Sequence, residues 1–179
     1  MRNSLTIGAL LLATFSAGAS AQEMTTMSNF SYDYFEARMG VGPLTYGAAG
    51  SMSIHPNAHI VVEADSEFEG DFDTSAGIGF HAPVNNWADV TGELLLRNVK
   101  KDHHSSDFGV EVNLGVRQWL APQFEVGAQV GNFNLNDNDE FFGSVYGRFH
   151  ATELFSIGAQ ARFNEWYGDQ VMLSARFKF

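Results

Sequence analysis

Ten stretches of alternating apolar and polar residues run through this chain, and no helical periodicity competes with them. They cover 31–41, 44–55, 58–69, 72–83, 87–100, 106–119, 123–135, 141–150, 154–164 and 169–179. A period of two is that of a strand whose two faces meet unlike surroundings. Soluble strands usually run about 5–6 residues. Most of these stretches are longer, and they match the ~9–11 residues that a tilted strand needs to cross hydrocarbon. The last stretch displays the pattern: Val171, Leu173, Ala175, Phe177 and Phe179 share one parity, with Met172, Ser174, Arg176 and Lys178 on the other.

Charge follows the same parity. The apolar face reads Phe35/Ala37/Met39/Val41 in the first stretch, Val110/Val112/Leu114/Val116 in the sixth and Phe155/Ile157/Ala159/Ala161/Phe163 in the ninth. The opposite face carries Glu36, Arg38, Glu63, Asp65, Glu67, Asp89, Glu93, Arg97, Glu111, Arg117, Glu125, Arg148, Arg162, Arg176 and Lys178, acids and bases nearly in balance. A soluble lipocalin-like barrel would place the apolar face in its core. A membrane barrel inverts this, with apolar residues toward lipid and charges inside. Alternation alone does not choose between the two.

Three further features favour the membrane. Residues 1–21 carry one charge, Arg2, an apolar run from Leu5 to Ala17, and the small-x-small sequence Ala19–Ser20–Ala21. This is the form of a cleaved signal peptide, with the cut between Ala21 and Gln22, leaving 22–179 as the barrel. The strands have membrane length. Aromatic residues also recur at both ends of the strands, as they do at two lipid–water interfaces. Tyr32, Tyr34, Trp87, Trp119, Phe124, Phe149, Phe155, Phe177 and Phe179 map to one rim, and Tyr46, Phe68, Phe72, Phe108, Phe163, Trp166 and Tyr167 to the other. The expected fold is therefore all-β: an antiparallel transmembrane barrel of ten strands (eight as the alternative) with short loops, located in the outer membrane.

Composition excludes several functions. The net charge of −11 disfavours nucleic acid, which needs clustered cations. Without cysteine there is no disulfide or thiol chemistry. His55, His59, His81 and His150 fall near one rim with inward parity, where a metal site is conceivable, but lumen-capping polar residues are the simpler expectation. The "NDNDE" of 136–140 has alternating oxygen donors but lacks the glycine and distal glutamate of a calcium loop. His103 and His104 beside Ser105, Ser106 and Asp107 sit in one short loop, unlike catalytic groups that converge from several strands. The sequence points to no catalytic residue, no metal and no cofactor.

What remains is the inward face. Glu36, Arg38, Glu63, Asp65, Glu93, Arg97, Glu111, Arg117, Glu125, Arg148, Arg162 and Arg176 are expected to form a charge-paired network in the lumen. Inward glycines at 77, 79, 127 and 131 are expected to leave unfilled space beside it. Val171, Leu173, Ala175, Phe177 and the terminal Phe179 form the kind of alternating aromatic end that outer-membrane assembly machinery recognises.

The segments "SYDYFEARMG", "YGAAGSMSIHPNAHIVVEAD", "VNLGVRQWLAPQFEVGAQVG", "FFGSVYGRFHATELFSIGAQARF" and "MLSARFKF" give the chain a family resemblance over nearly all of 28–179. It resembles the small OmpA/OmpX-like outer-membrane barrels, and more specifically the diffusible-signal-factor-regulated outer-membrane proteins of plant-pathogenic bacteria. The resemblance implies fold and location, and it carries no catalytic set. The function expected from the sequence is a non-enzymatic outer-membrane barrel serving envelope integrity or surface interaction, with a narrow porin-like channel as the alternative. Its expected partners are outer-membrane lipid and lipopolysaccharide, and the assembly machinery during biogenesis. The barrel is expected to be a monomer.

Overall fold

The computed structural model describes residues 28–100, 105–135 and 138–179. The expected signal peptide, its Ala21–Gln22 junction, and His103 and His104 lie outside the described residues. The alternating stretches become ten antiparallel strands: β1 (Tyr34–Val41), β2 (Thr45–His55), β3 (Ala58–Ser66), β4 (Phe72–Asn85), β5 (Ala88–Lys100), β6 (Asp107–Ala121), β7 (Phe124–Leu135), β8 (Asn138–His150), β9 (Phe155–Glu165) and β10 (Gly168–Lys178). Each strand pairs with its sequence neighbours, and β1 pairs with β10 from Tyr34↔Lys178 to Val41↔Val171, which closes the barrel. Closure leaves no strand edge unpaired, the condition for a sheet in lipid.

Parity fixes which residues face which way. Phe35, Leu96 and Phe108 are 65%, 70% and 69% exposed, whereas Glu36, Arg38, Arg97 and Glu125 are buried. The apolar parity forms the outer wall and the charged parity points inward, the inverse of a soluble barrel. An outer surface this apolar exceeds any patch that a water-soluble monomer carries. The fold is a ten-stranded transmembrane barrel.

The first strand begins three residues later than the alternation implied. Ser31 Oγ accepts from Asp33 N–H at 3.2 Å and lies 3.3 Å from the Asp33 carbonyl, closing a local turn. Residues 28–33 therefore leave the barrel wall and enter the mouth of the lumen. That rim, which also holds Phe179, is called the near rim below. Three of its hairpins (β2–β3, β4–β5 and β6–β7) close with two-residue turns, each with a register shift at its base.

Parity also corrects the aromatic assignments. Phe35, Trp87, Phe124, Phe149, Phe177 and Phe179 are exposed on the near rim, and Tyr46, Phe68, Phe108 and Phe163 on the far rim. Tyr32 is buried instead, Tyr34 lies under the Arg176 guanidinium at 3.6 Å, and Trp119 stacks on Phe30. Trp166 packs against a buried apolar cluster of Val99, Phe133, Leu135 and Phe142 at the far end of the lumen. These rings close the barrel ends and are not part of the lipid-facing girdles. Glu67 and Phe68 fall in the turn after β3, and 138–140 lie in β8, where Asn134 Nδ2 donates to Asp139 Oδ1 at 2.8 Å.

Candidate functional site

Inward charges on adjacent or facing strands meet in four clusters. At the near end, Arg117 Nε donates to Glu125 Oε1 at 2.9 Å, and the Tyr146 hydroxyl donates to the same oxygen at 2.7 Å. His150 Nε2 lies 3.0 Å from Glu125 Oε2. Glu36 takes Arg148 Nη2 at 2.6 Å and Arg176 Nε at 2.7 Å. The Arg176 contact follows from register, because Glu36 sits directly opposite it. Arg148 stands opposite Glu125 but instead reaches across the lumen to Glu36.

Toward the far end, Arg38 contacts Glu63 at 2.9 Å and Asp65 at 2.8 Å, and Arg162 adds a weaker contact to Asp65 at 3.4 Å. Arg97 is the most heavily engaged side chain. Its Nε and Nη2 donate to Asp73 at 2.9 and 2.5 Å, Nη1 to Glu111 at 2.9 Å, and Nη2 to Glu165 at 3.1 Å. Buried ions require this kind of saturation, since desolvation costs several kcal/mol per ion.

Glu93 stands apart from these clusters. Its Oε2 accepts from Asn113 Nδ2 at 3.0 Å and from Gln129 Nε2 at 3.4 Å, and His59 Nε2 lies 3.8 Å from Oε1. Asn113 also donates to Glu111 at 3.1 Å and is almost fully buried. Thus all twelve expected network residues face the lumen, eleven of them in clusters built around arginine. Asp73 and Glu165 belong to those clusters but were not anticipated from sequence. Parity pointed Asp73 inward, yet both lie at strand ends where turn composition masks the alternation.

The inward glycines do not leave the expected voids. A Cβ on Gly79 would collide with the His59 ring, one on Gly127 with the Tyr146 ring, and one on Gly131 with Phe142. Gly77 lies against the β5 backbone at Leu94 and Leu95. Each glycine admits a neighbour's bulk. The remaining space is a polar cavity of about 150 Å³ that Glu36, Arg38, Thr91, Glu93, Arg97, Glu111, Gln129, Arg162 and Arg176 help to line, from Tyr32 at one end to Glu165 at the other. It has room for several waters.

The four rim histidines separate. His59 and His81 are buried, with ring centroids 5.6 Å apart, and each stacks on Tyr32. His150 serves Glu125, and His55 is exposed. Among the described residues, no three His, Cys, Asp or Glu side chains are grouped to hold a metal. On the far rim, the Tyr167 hydroxyl donates to Asp71, whose carboxylate also accepts the N–H groups of Glu67 at 2.9 Å and Glu69 at 3.1 Å. Partial burial pushes the Asp71 carboxyl up, but these donors outweigh it and hold the group below the usual carboxylate range. Burial first, and then the adjacent Asp71, push the Tyr167 hydroxyl well above the usual phenol range.

No family model matches the chain, and no curated protein matches it by sequence. Solved structures do match. The chain is similar to the KdgM porin at 9% identity with a TM-score of 0.57. A KdgM porin in complex with disordered oligogalacturonate gives 8% and 0.56. The NanC porin gives 8% and 0.49. In all three cases 82% of this chain is covered and 98% of the other. At such low identity the KdgM likeness establishes the fold: a small, closed, porin-type barrel.

Proposed function

We propose that this chain is a non-enzymatic outer-membrane channel of narrow bore for small solutes, with the near rim in the periplasm. The observation that carries this reading is the polar cavity of about 150 Å³ that follows the lumen between the charge clusters. A barrel serving only as a wall or an adhesin would be equally stable with an apolar, fully packed interior. The porin-type fold shared with KdgM supports a conducting role over envelope integrity or surface interaction. The resemblance of the strand segments to diffusible-signal-factor-regulated outer-membrane proteins belongs to this same reading, as do export through the 1–21 signal peptide and contact with lipopolysaccharide.

The lumen also indicates which solutes suit it. The KdgM complex holds oligogalacturonate, a polyanion. Here each arginine of the described lumen already contacts a carboxylate. Asp89 is held by the hydroxyls of Ser28 and Tyr32, and Glu93 by amides. The engaged guanidiniums leave little to attract an acidic oligosaccharide. Small cations and neutral solutes fit better.

The test is planar-bilayer recording of the purified barrel. Small, discrete steps well below those of a general-diffusion porin are expected. Complete silence of a folded, heat-modifiable barrel overturns the channel reading and restores a structural or surface role.

A further inference from the structure

Residues 28–33 fill the near mouth of the lumen with side chains. Phe30 stacks on Trp119 with centroids 5.3 Å apart and planes 11° from parallel. Tyr32 stacks on His81 at 3.8 Å and 10°. The Arg117 guanidinium covers both rings, at 4.6 Å from Phe30 and 4.8 Å from Tyr32. The hydroxyls of Ser28 and Tyr32 donate to Asp89, and Asn29 Nδ2 donates to the Asn86 carbonyl at 2.7 Å.

We propose that this segment is a displaceable plug that holds the periplasmic mouth of the lumen shut. Its effect on conduction rests on the channel reading, but the plug itself does not. Wall pairing of β1 begins at Tyr34, and residues 28–32 join no strand ladder. The segment can therefore leave without breaking the sheet. Its root is fixed at Asp33, whose carboxylate accepts Ser53 N–H at 2.6 Å and whose carbonyl accepts Phe179 N–H at 3.3 Å. Motion is thus confined to the residues that carry the two rings. Flat aromatic stacking under a guanidinium gives a closed state held by few, reversible contacts. Thr91, which lines the cavity, sits directly across from His81 on the neighbouring strand, behind the plug.

The chain contains no cysteine, so Thr91→Cys gives one unique reporter thiol in the full barrel. A small cationic methanethiosulfonate reagent should label it slowly with the plug intact. With Phe30→Ala and Tyr32→Ala added, labelling should be at least tenfold faster and single-channel conductance at least doubled, with heat-modifiable mobility unchanged. Unchanged labelling in that folded variant overturns the plug. Faster labelling without current upholds the plug and overturns the channel reading. If the double variant fails to fold, Asn29→Cys/Asn86→Cys decides. Its disulfide-bonded form should block a small fluorescent cation from the lumen, and reduction should admit it. Equal uptake in both redox forms overturns the proposal.

Discussion

Arg97 neutralises Asp73, Glu111 and Glu165 at once and also lies over the Phe133 ring at 4.5 Å. Removing one partner of a buried ionic cluster leaves uncompensated charge and costs about 3–5 kcal/mol. Arg97→Met should destabilise the barrel by about that much, measured by urea unfolding from lipid vesicles. Arg162→Met should cost under about 1 kcal/mol, because Asp65 retains Arg38. Equal effects would refute this ranking. Asp71 offers a separate test, outside the membrane span. Its folded pKa lies below the unfolded value, so its contribution is complete above about pH 4 and is lost as pH falls through the lower folded value. Amide exchange at Glu67 and Glu69, corrected for intrinsic rate, should therefore accelerate below about pH 4. In Asp71→Asn it should already be fast at neutral pH. The lumen residues were legible from sequence because parity alone sorts charge from lipid. Their pairing was not, since Arg148 passes over Glu125, its direct cross-strand neighbour, to reach Glu36 across the barrel.

At the scale of elements, the alternating stretches located ten strands because a lipid-facing strand cannot tolerate parity errors. The same alternation misled at the ends, where water and turns relax that constraint. Tyr32 continues the pattern of β1, yet the Ser31–Asp33 turn carries it into the lumen. Trp119 and Trp166 likewise close the interior instead of lining the lipid. The terminal strand obeyed the rule: Val171, Leu173 and Phe177 face outward, and Phe179 ends against Phe35, with ring centroids 5.1 Å apart. We expect deletion of Phe179, or Phe179→Asp, to cut outer-membrane yield several-fold and leave material in the periplasm. Normal yield for both variants would mean that Val171, Leu173, Ala175, Phe177 and Phe179 serve the lipid interface alone and not assembly.

Considered whole, the molecule is a narrow tube whose charge is fixed from within. Eight strands leave an interior just filled by side chains, and ten add modest room. Here much of that room goes to rings seated over glycines, with the near mouth closed by Phe30 and Tyr32 and the far end by Phe133 and Phe142. Glycines are visible in a sequence, but whether they open space or admit a neighbour's ring depends on cross-strand register, which only the closed sheet defines. The remaining passage runs past Glu93, a carboxylate held by amides, with the His59 ring 3.8 Å away. A carboxylate about 4 Å from a passing ion is worth about 1 kcal/mol in water-like surroundings, roughly a fivefold preference for cations. Reversal potentials in a potassium chloride gradient near neutral pH should therefore lie toward the potassium potential. The bias should weaken as ionic strength rises, because salt screens the fixed charge. Glu93→Gln preserves the shape of the side chain and should remove most of the preference while changing conductance little. Anion selectivity in the unaltered channel, or full cation selectivity in Glu93→Gln, would show that Glu93 does not set the bias and that some arginine contacts yield to passing solute.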